Sequence, residues 1–309
     1  MLAIFEIILP VFLLLLCGFL LGKTKLFDDQ SADKLIAFVW WVAIPALLFR
    51  SLAAKPLPLE ELVLVGSYYA GMYLVYATAM LVGRWLLGHN RAEQAMFAFA
   101  TCFANAGFVG IPVLGGAFGD EGVRLLLIII SFHSLTLIPV SSILVSSHQT
   151  GRWSGRAVVD ALKGNPVLVA LLIALTWSLA GIPYPDVLDR ILEMPAAAAA
   201  PVGLFAVGLS LTQVRLEGDI RQAGVGALGS MIVMPLIIWL TGKYLFDLPP
   251  LWLGVATLYA ALPTGLIPYT FALRHNLAPR RVASMILLTM MIAPVTLSVL
   301  IWLLGDVGQ

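Results

Sequence analysis

Two short segments of the chain place a polar side chain among residues that interrupt helices. The first runs from Asn105 to Pro112 and includes Gly107 and Gly110, and the second, residues 262–268, reads Leu-Pro-Thr-Gly-Leu-Ile-Pro. Both lie inside long apolar stretches, where irregular backbone is tolerated only if it is buried in protein or lines a water-filled cavity. We therefore predict two broken helices that face a binding cavity, and the alternative is a pair of simple kinks.

The chemistry of such a site favours a small organic anion. The N-termini of two half-helices would offer free N–H groups and partial positive charge near the middle of the membrane. No Lys or Arg lies in the middle of a predicted span, so helix ends, an amide and hydroxyl groups would have to hold the anion. The predicted substrate-binding residues are Asn105, Gly107, Pro112, Pro263, Thr264, Gly265, Pro268, Tyr259 and Tyr269.

The composition requires a membrane environment for these segments. The chain is 61% hydrophobic and only 11% charged, with a mean hydropathy of +0.98. A soluble domain has about twice that share of charged residues, so the fold class is an all-α polytopic membrane protein. Ten stretches are long enough to cross a core of roughly 30 Å. They cover residues 4–22, 36–54, 61–83, 92–117, 122–147, 165–182, 191–212, 223–245, 251–273 and 282–304.

Prolines repeat along the chain at one fixed offset. Three pairs lie 156 residues apart: Pro10 and Pro166, Pro45 and Pro201, and Pro112 and Pro268. We expect the first pair at helix starts, the second in supporting helices and the third at the breaks. Five helices in each half is an odd number, which predicts two inverted five-helix repeats at 1–147 and 165–309 within one transmembrane domain, 1–309. A short cytoplasmic loop at 148–164 would join them, with a surface helix near 158–162.

The distribution of Lys and Arg predicts the orientation. Thirteen of the 18 lie in loops after the odd-numbered predicted helices and five lie on the other side. Because positive charge stays in the cytoplasm, we expect both termini outside it, in a bacterial inner membrane.

The coupling mechanism stays open at this level. No Asp or Glu lies near the middle of a predicted span, and His133 is the ionisable side chain farthest inside a span apart from Cys and Tyr. The alternatives are proton handling through His133, a sodium site of backbone carbonyls, and uniport driven by membrane potential. Export is mildly preferred, because an anion leaving a negative cell interior needs no coupled ion.

Other classes of protein fit less well. We find no nucleophile motif, no H-E-x-x-H and no mid-span pair of aspartates, so an enzyme is not expected. A channel or a cation/proton antiporter remains a rival, although an antiporter should carry a deep Asp or Glu. We expect no cofactor, no metal and no nucleic-acid partner. Membrane lipid surrounds the chain, and a homodimer is left open.

Three blocks of sequence resemble the auxin efflux carrier family, which includes plant auxin exporters and bacterial transporters of malonate, malate and similar acids. They are Asn105 to Pro112, Asn165-Pro166, and residues 261–269 continuing through Phe271, Ala272, Asn276 and Pro279. The resemblance implies ten helices in an inverted repeat, with broken fourth and ninth helices that cross, similar to sodium/proton antiporters and bile acid carriers. It also implies a substrate carboxylate at the crossover, which maps onto Asn105, Gly107, Pro263, Thr264 and Pro268.

Two departures from the plant members limit what the resemblance implies. Ala104 stands where plant members carry a proline, and Thr264 stands where they carry a glutamine. The identity of the substrate is therefore not carried over. The long cytoplasmic loop of the plant members is missing as well, and with it any expectation of their phosphorylation control.

Overall fold

The computed structural model describes residues 2–24, 26–28, 30–53, 58, 60–133, 135–150, 165–213 and 220–304. Within these ranges the elements are helices, and the one extended pairing is an isolated antiparallel bridge between Ala104 and Thr264. Seven helical stretches there are long and apolar enough to cross a membrane. The chain is therefore an all-helical polytopic membrane protein, as its composition predicts. The predicted surface helix near 158–162 lies outside the described residues.

The described residues form fourteen α-helices. We number them α1 (Leu2–Gly22), α2 (Ser31–Phe38), α3 (Ile44–Ala53), α4 (Glu61–Trp85), α5 (Arg91–Cys102), α6 (Ile111–His133), α7 (Leu137–Thr150), α8 (Pro166–Leu179), α9 (Asp186–Leu211), α10 (Ile220–Leu228), α11 (Met234–Tyr244), α12 (Pro250–Ala260), α13 (Ile267–His275) and α14 (Pro279–Leu304). Five-residue π-helical turns lie at Val39–Ala43, Ala106–Gly110 and Gly229–Val233. The first and third of these turns join neighbouring α-helices directly.

Each π-helical turn ends two residues before a proline. The prolines are Pro45, Pro112 and Pro235. A proline has no N–H to donate to the carbonyl four residues earlier, and its ring clashes with that carbonyl in a regular α-helix. The wider π turn removes the need for that hydrogen bond. The helical segments around Pro45 and Pro235 therefore continue through the proline without ending.

The chain leaves the helix at both segments that the sequence analysis singled out. Residues 103–105 separate α5 from the second π turn, and residues 261–266 separate α12 from α13. The two interruptions cross, because the Asn105 N–H donates to the Pro263 carbonyl at 2.7 Å and the Gly265 N–H donates to the Phe103 carbonyl at 2.8 Å. Two hydrogen bonds thus satisfy backbone groups that would otherwise be unpaired deep in the protein.

The prolines do not mark the breaks themselves, so that expectation was wrong. Pro112 and Pro268 each lie one residue after the start of the following helix. Pro112 follows the second π turn, which continues directly into α6, and that wider turn accommodates its missing N–H. Pro268 lies in the first turn of α13, where the missing N–H costs little because the first N–H groups of a helix have no intrahelical partner. Pro166 opens α8 in the same way, with Asn165 as its N-cap. Pro10 differs from the prediction, since it lies inside α1, which already begins at Leu2.

Gly119 interrupts α6 at its middle. Its φ of 66° and ψ of −160° lie outside the helical region and are disfavoured for residues with a side chain. The stretch Ala106–Val145 is 40 residues long, well beyond the roughly 20 residues that one crossing needs.

The helices pack as two groups. In the first group α9 packs on α1, α2 and α3, and α8 packs on α3. In the second group α4 packs on α5 and α11, α11 on α12, α5 on α7, and α10 on α14. Each group therefore combines helices from the first and second halves of the chain, and α9 also packs on the second π turn, which directly follows the first interruption.

Candidate functional site

A cavity of about 470 Å³ lies against the crossing of the two broken segments. Its size is within the range of pockets that bind small molecules. The wall comes from both interruptions, from α2 and the π turn after it, and from residues of α6, α7, α8, α9 and α13. The cavity thus touches both packing groups and both halves of the chain.

Two helix N-termini form one side of this cavity. The start of the second π turn contributes Ala106, Gly107 and Phe108, and the approach to α13 contributes Leu266 and Ile267. The first N–H groups of a helix have no acceptor within the helix, and the aligned peptide dipoles give that end partial positive charge. An anion in the cavity would be attracted to both ends at once.

The amide of Asn105 is the decisive polar group of this cavity. Asn105 is 3% exposed, lines the cavity, and its Nδ2 has no hydrogen-bond partner among the described residues. Leaving a buried donor unsatisfied costs about 1–3 kcal/mol. An acceptor that reaches this nitrogen would remove that cost, so the amide is a candidate to bind a ligand oxygen.

The structure divides the predicted site residues into two sets. Those that line the cavity are Asn105, Gly107, Gly265, Tyr269 and His133. Those outside its lining are Pro112, Pro263, Thr264, Pro268 and Tyr259. The Pro263 carbonyl is used to hold Asn105 in place. The N–H of Thr264 donates to Oγ1 of Thr289 at 3.1 Å, and the Oγ1 of Thr264 is buried with no partner in the part of the chain that the structure describes.

The helices that contain Pro45 and Pro201 support the second π turn from outside. A Cβ added to Gly107 would lie 2.9 Å from Cδ1 of Ile44, the residue before Pro45. A Cβ added to Gly203, two residues after Pro201, would lie 2.5 Å from Cδ1 of Phe108. Both helices thus pack directly against the turn that presents the cavity amides.

His133 lies on the cavity wall within a hydrogen-bonded group of tyrosines. Its Nδ1 is 2.5 Å from the hydroxyl oxygen of Tyr69, which also donates to the Ile129 carbonyl at 2.8 Å. The hydroxyl of Tyr259 is 3.3 Å from Nε2. If Tyr69 donates to Ile129, its oxygen accepts the Nδ1 proton, and Nε2 accepts from Tyr259. Both ring nitrogens then have protein partners.

Several lining residues are of types that do not by themselves indicate function in the sequence. Trp40 and Ile36 come from the second predicted span, and Ile130, Ile138 and Val167 are apolar residues in apolar helices. One signal was available, because Asp33, Ile36 and Trp40 are spaced i, i+3 and i+7 and share one helical face.

The cavity opens at one end. Asp33, Gln213 and Leu273 line it and are exposed, whereas Asn105 and Gly265 at the crossing are buried. The exposed residues lie at the start of α2, just after α9 and near the end of α13. The opening therefore faces the side where the connections after α1, α9 and α13 lie.

Across the ranges that the structure covers, no group of three or more His, Cys, Asp or Glu side chains could hold a metal ion. Cys17 and Cys102 are both free thiols.

A protein-family model described as "Membrane transport protein" matches residues 3–150 and 154–301, nearly the whole chain. The chain belongs to this family, the auxin efflux carrier family. The resemblance seen in three sequence blocks is thereby confirmed. The carrier is a transport protein and not an enzyme.

Individual relatives of the carrier are distant but cover it almost completely. A protein of Rhizobium meliloti named "Putative malonate transporter" is 23% identical over 96% of this chain and 95% of its own. The transporter YfdV of Escherichia coli K12 is 26% identical over 88% of each chain. Auxin efflux carrier component 8 of Arabidopsis thaliana is 21% identical over 94% of each chain.

Proposed function

We propose that this carrier is a secondary transporter that moves a small organic anion, auxin-like or a mono- or dicarboxylate, across the bacterial inner membrane by alternating access. The observation that carries the proposal is the amide nitrogen of Asn105, which has no hydrogen-bond partner among the described residues and belongs to a cavity lined by two helix N-termini. These groups are suited to a carboxylate, whose oxygens accept hydrogen bonds and whose charge is attracted to both dipoles. The two relatives named for malonate and auxin both carry names of organic acids.

Alternating access would rest on ten spans in two inverted repeats, which we also propose. The interruption at Gly119 divides the 40-residue stretch into two spans, and the shorter helices α8 and α12 with α13 supply the rest. Each half of the chain would place two spans in one packing group and three in the other. Two copies in opposite orientations allow inward-open and outward-open forms of similar energy.

The orientation follows from the positive charges. With both termini outside the cytoplasm, the open end of the cavity at Asp33 and Leu273 faces the cytoplasm. The described conformation would then be ready to accept an internal anion. Export needs no coupled ion, because each negative charge that leaves gains about 2.3 kcal/mol per 100 mV.

The group around His133 supports a second candidate, a proton-coupled carboxylate symporter. The imidazole lines the cavity, and its nitrogens contact two tyrosine hydroxyl groups that could pass a proton on. Histidine is the side chain whose ordinary pKa best suits proton handling near neutral pH.

A binding measurement on two variants tests the site. We expect Asn105→Ala to weaken carboxylate binding by about tenfold or more, since a hydrogen bond to a charged group contributes roughly 1.5–3 kcal/mol. The matched control is Ser210→Ala, because Ser210 lines the same cavity but its hydroxyl donates to the Val207 carbonyl at 2.7 Å. The readout is the ligand-induced rise in unfolding temperature across a panel of small mono- and dicarboxylates. Unchanged binding by a folded Asn105→Ala protein would refute the proposed site.

A further inference from the structure

We propose that the turn between α4 and α5 binds the headgroup of an anionic phospholipid through Arg84 and Arg91, with Trp85 inserted at the membrane boundary. This site is separate from the cavity at the crossing, and it goes beyond the proposed transport of an organic anion. A second turn of the same shape, between α11 and α12, carries different charges and serves as the comparison.

The two turns share one backbone conformation. Each begins at a buried glycine, Gly83 or Gly242, whose carbonyl accepts the N–H of the residue six positions later at 2.9 Å. The residue before that donor has a positive φ in both turns, 66° at Gly88 and 48° at Asp247. The turns therefore differ mainly in their side chains.

Exposed aromatic side chains place both turns at the membrane boundary. Trp85 is 78% exposed, Tyr244 at the equivalent position is 71% exposed, and the next residue, a leucine in both turns, is exposed as well. Cζ of Arg84 lies 5.4 Å from the centre of the Trp85 ring, and Nζ of Lys243 lies 5.6 Å from that of Tyr244. Tryptophan and tyrosine are enriched where lipid meets water, so both turns are expected among the lipid headgroups.

The charges of the two turns differ. The first turn has Arg84 and Arg91, which are both exposed and form no ion pair within the ranges that the structure describes. The second turn has Lys243 and Asp247, whose formal charges cancel, and Pro250 where the first has Arg91. A guanidinium group can donate two parallel hydrogen bonds to a phosphate. The first turn is therefore suited to an anionic headgroup, whereas the second has no net charge to select one.

Contacts of the first turn connect it to the starts of three helices. Nε2 of His89 is 2.9 Å from Oε1 of Gln222 in α10, and Arg281 of α14 donates to Oε1 of Glu93 in α5 at 3.0 Å. The carboxylate nearest to Arg91 on α5 is thus already paired. A lipid bound to the turn would hold these helix starts together and stabilise the folded protein, because it binds only that state.

Lipid titrations of the purified full-length protein test the site. Phosphatidylglycerol or phosphatidylcholine is added at equal mole fraction in a neutral detergent at low salt, and the unfolding temperature is followed. We expect phosphatidylglycerol to raise this temperature more than phosphatidylcholine does. The double variant Arg84→Gln/Arg91→Gln should bind phosphatidylglycerol about 25-fold more weakly, about fivefold for each charge removed.

The second turn supplies the matched control. Lys243→Gln removes a basic residue that also precedes an exposed aromatic ring, and we expect its affinity for phosphatidylglycerol to stay within about twofold of the unmodified protein. Arg84→Lys/Arg91→Lys keeps both charges and should retain most of the preference, which separates loss of charge from loss of structure.

Three results would overturn the proposal. The first is equal stabilisation by the two lipids. The second is a loss of affinity in Lys243→Gln as large as that in Arg84→Gln/Arg91→Gln. The third is an equal shift with soluble glycerol phosphate, which has the headgroup chemistry without acyl chains and would indicate a site for free phosphate.

Discussion

Two buried polar side chains at the crossing differ in what surrounds them. Nδ2 of Asn105 and Oγ1 of Thr264 both lack a partner among the described residues, but only Asn105 lines the cavity. Thr264 is completely buried, and its backbone N–H is held by Thr289. Both are predicted from the sequence to bind substrate, and their different surroundings predict different responses to mutation.

Thr264→Val should leave substrate affinity within about twofold and stability unchanged or slightly higher, because the lost hydroxyl has no partner. Thr289→Val should lower the free energy of unfolding by about 1–3 kcal/mol, since it leaves the buried N–H of Thr264 unsatisfied. Thermal unfolding and ligand binding are measured on both variants to test these two expectations. A loss of affinity in Thr264→Val alone would place its hydroxyl in the binding site after all.

The pH dependence of transport distinguishes uniport from coupling through His133. For uniport we expect His133→Gln to transport with the same pH profile as the unmodified protein between about pH 5.5 and 7.5, where an ordinary histidine titrates. A profile that flattens in this variant would favour the proton-coupled candidate. His275→Gln serves as the control, because His275 lies at the end of α13 and outside the described cavity lining.

At the scale of elements, close packing of α1 on α9 depends on two glycines. A Cβ added to Gly208 would lie 2.1 Å from the Leu15 carbonyl oxygen, and one added to Gly18 would lie 2.2 Å from the Phe205 carbonyl oxygen. Small residues allow membrane helices to approach this closely. The helix that contains Pro201 is therefore held at a defined distance from the first helix of the chain.

Gly208→Ala should force α1 and α9 apart and destabilise the protein by at least about 1–3 kcal/mol, as overpacking does in a dense core. The obstructing atoms belong to backbone and cannot rotate away. Gly66→Ala is the matched control, since it also lies inside a helix and a Cβ there meets no atom within 4 Å. Thermal unfolding in one detergent compares the two variants, and equal stability would show that the helices can separate without cost.

At the scale of the whole molecule, the two packing groups and the cavity between them lead to a prediction about energetics. Reconstituted protein with no sodium or pH gradient should accumulate a monoanion when an inside-positive potential is imposed. At 100 mV the expected concentration ratio is about 50-fold, which corresponds to about 2.3 kcal/mol per charge. Asn105→Ala vesicles are the control for leakage. Accumulation that requires a proton or sodium gradient would rule out uniport.

Much of the fold could be predicted from the sequence because its signals are local. Hydropathy identified a helical membrane protein, and glycine and proline near Asn105 and Thr264 located the interruptions within a few residues. The prolines alone do not give the exact positions of the breaks, since Pro112 and Pro268 both follow them. A proline signals only that its own N–H is not needed, which holds at a break and equally in the first turn after it.

What the sequence by itself determined is that the chain crosses the membrane with interrupted helices and belongs to a transport family. These properties depend on composition, residue order and short motifs. Only the tertiary structure decided that Asn105 faces the cavity while Thr264 does not, and that Asp33 and Trp40 share its wall. The spacing of Asp33 and Trp40 places them on one helical face but does not show whether that face meets lipid or a cavity, so packing between distant helices makes that choice.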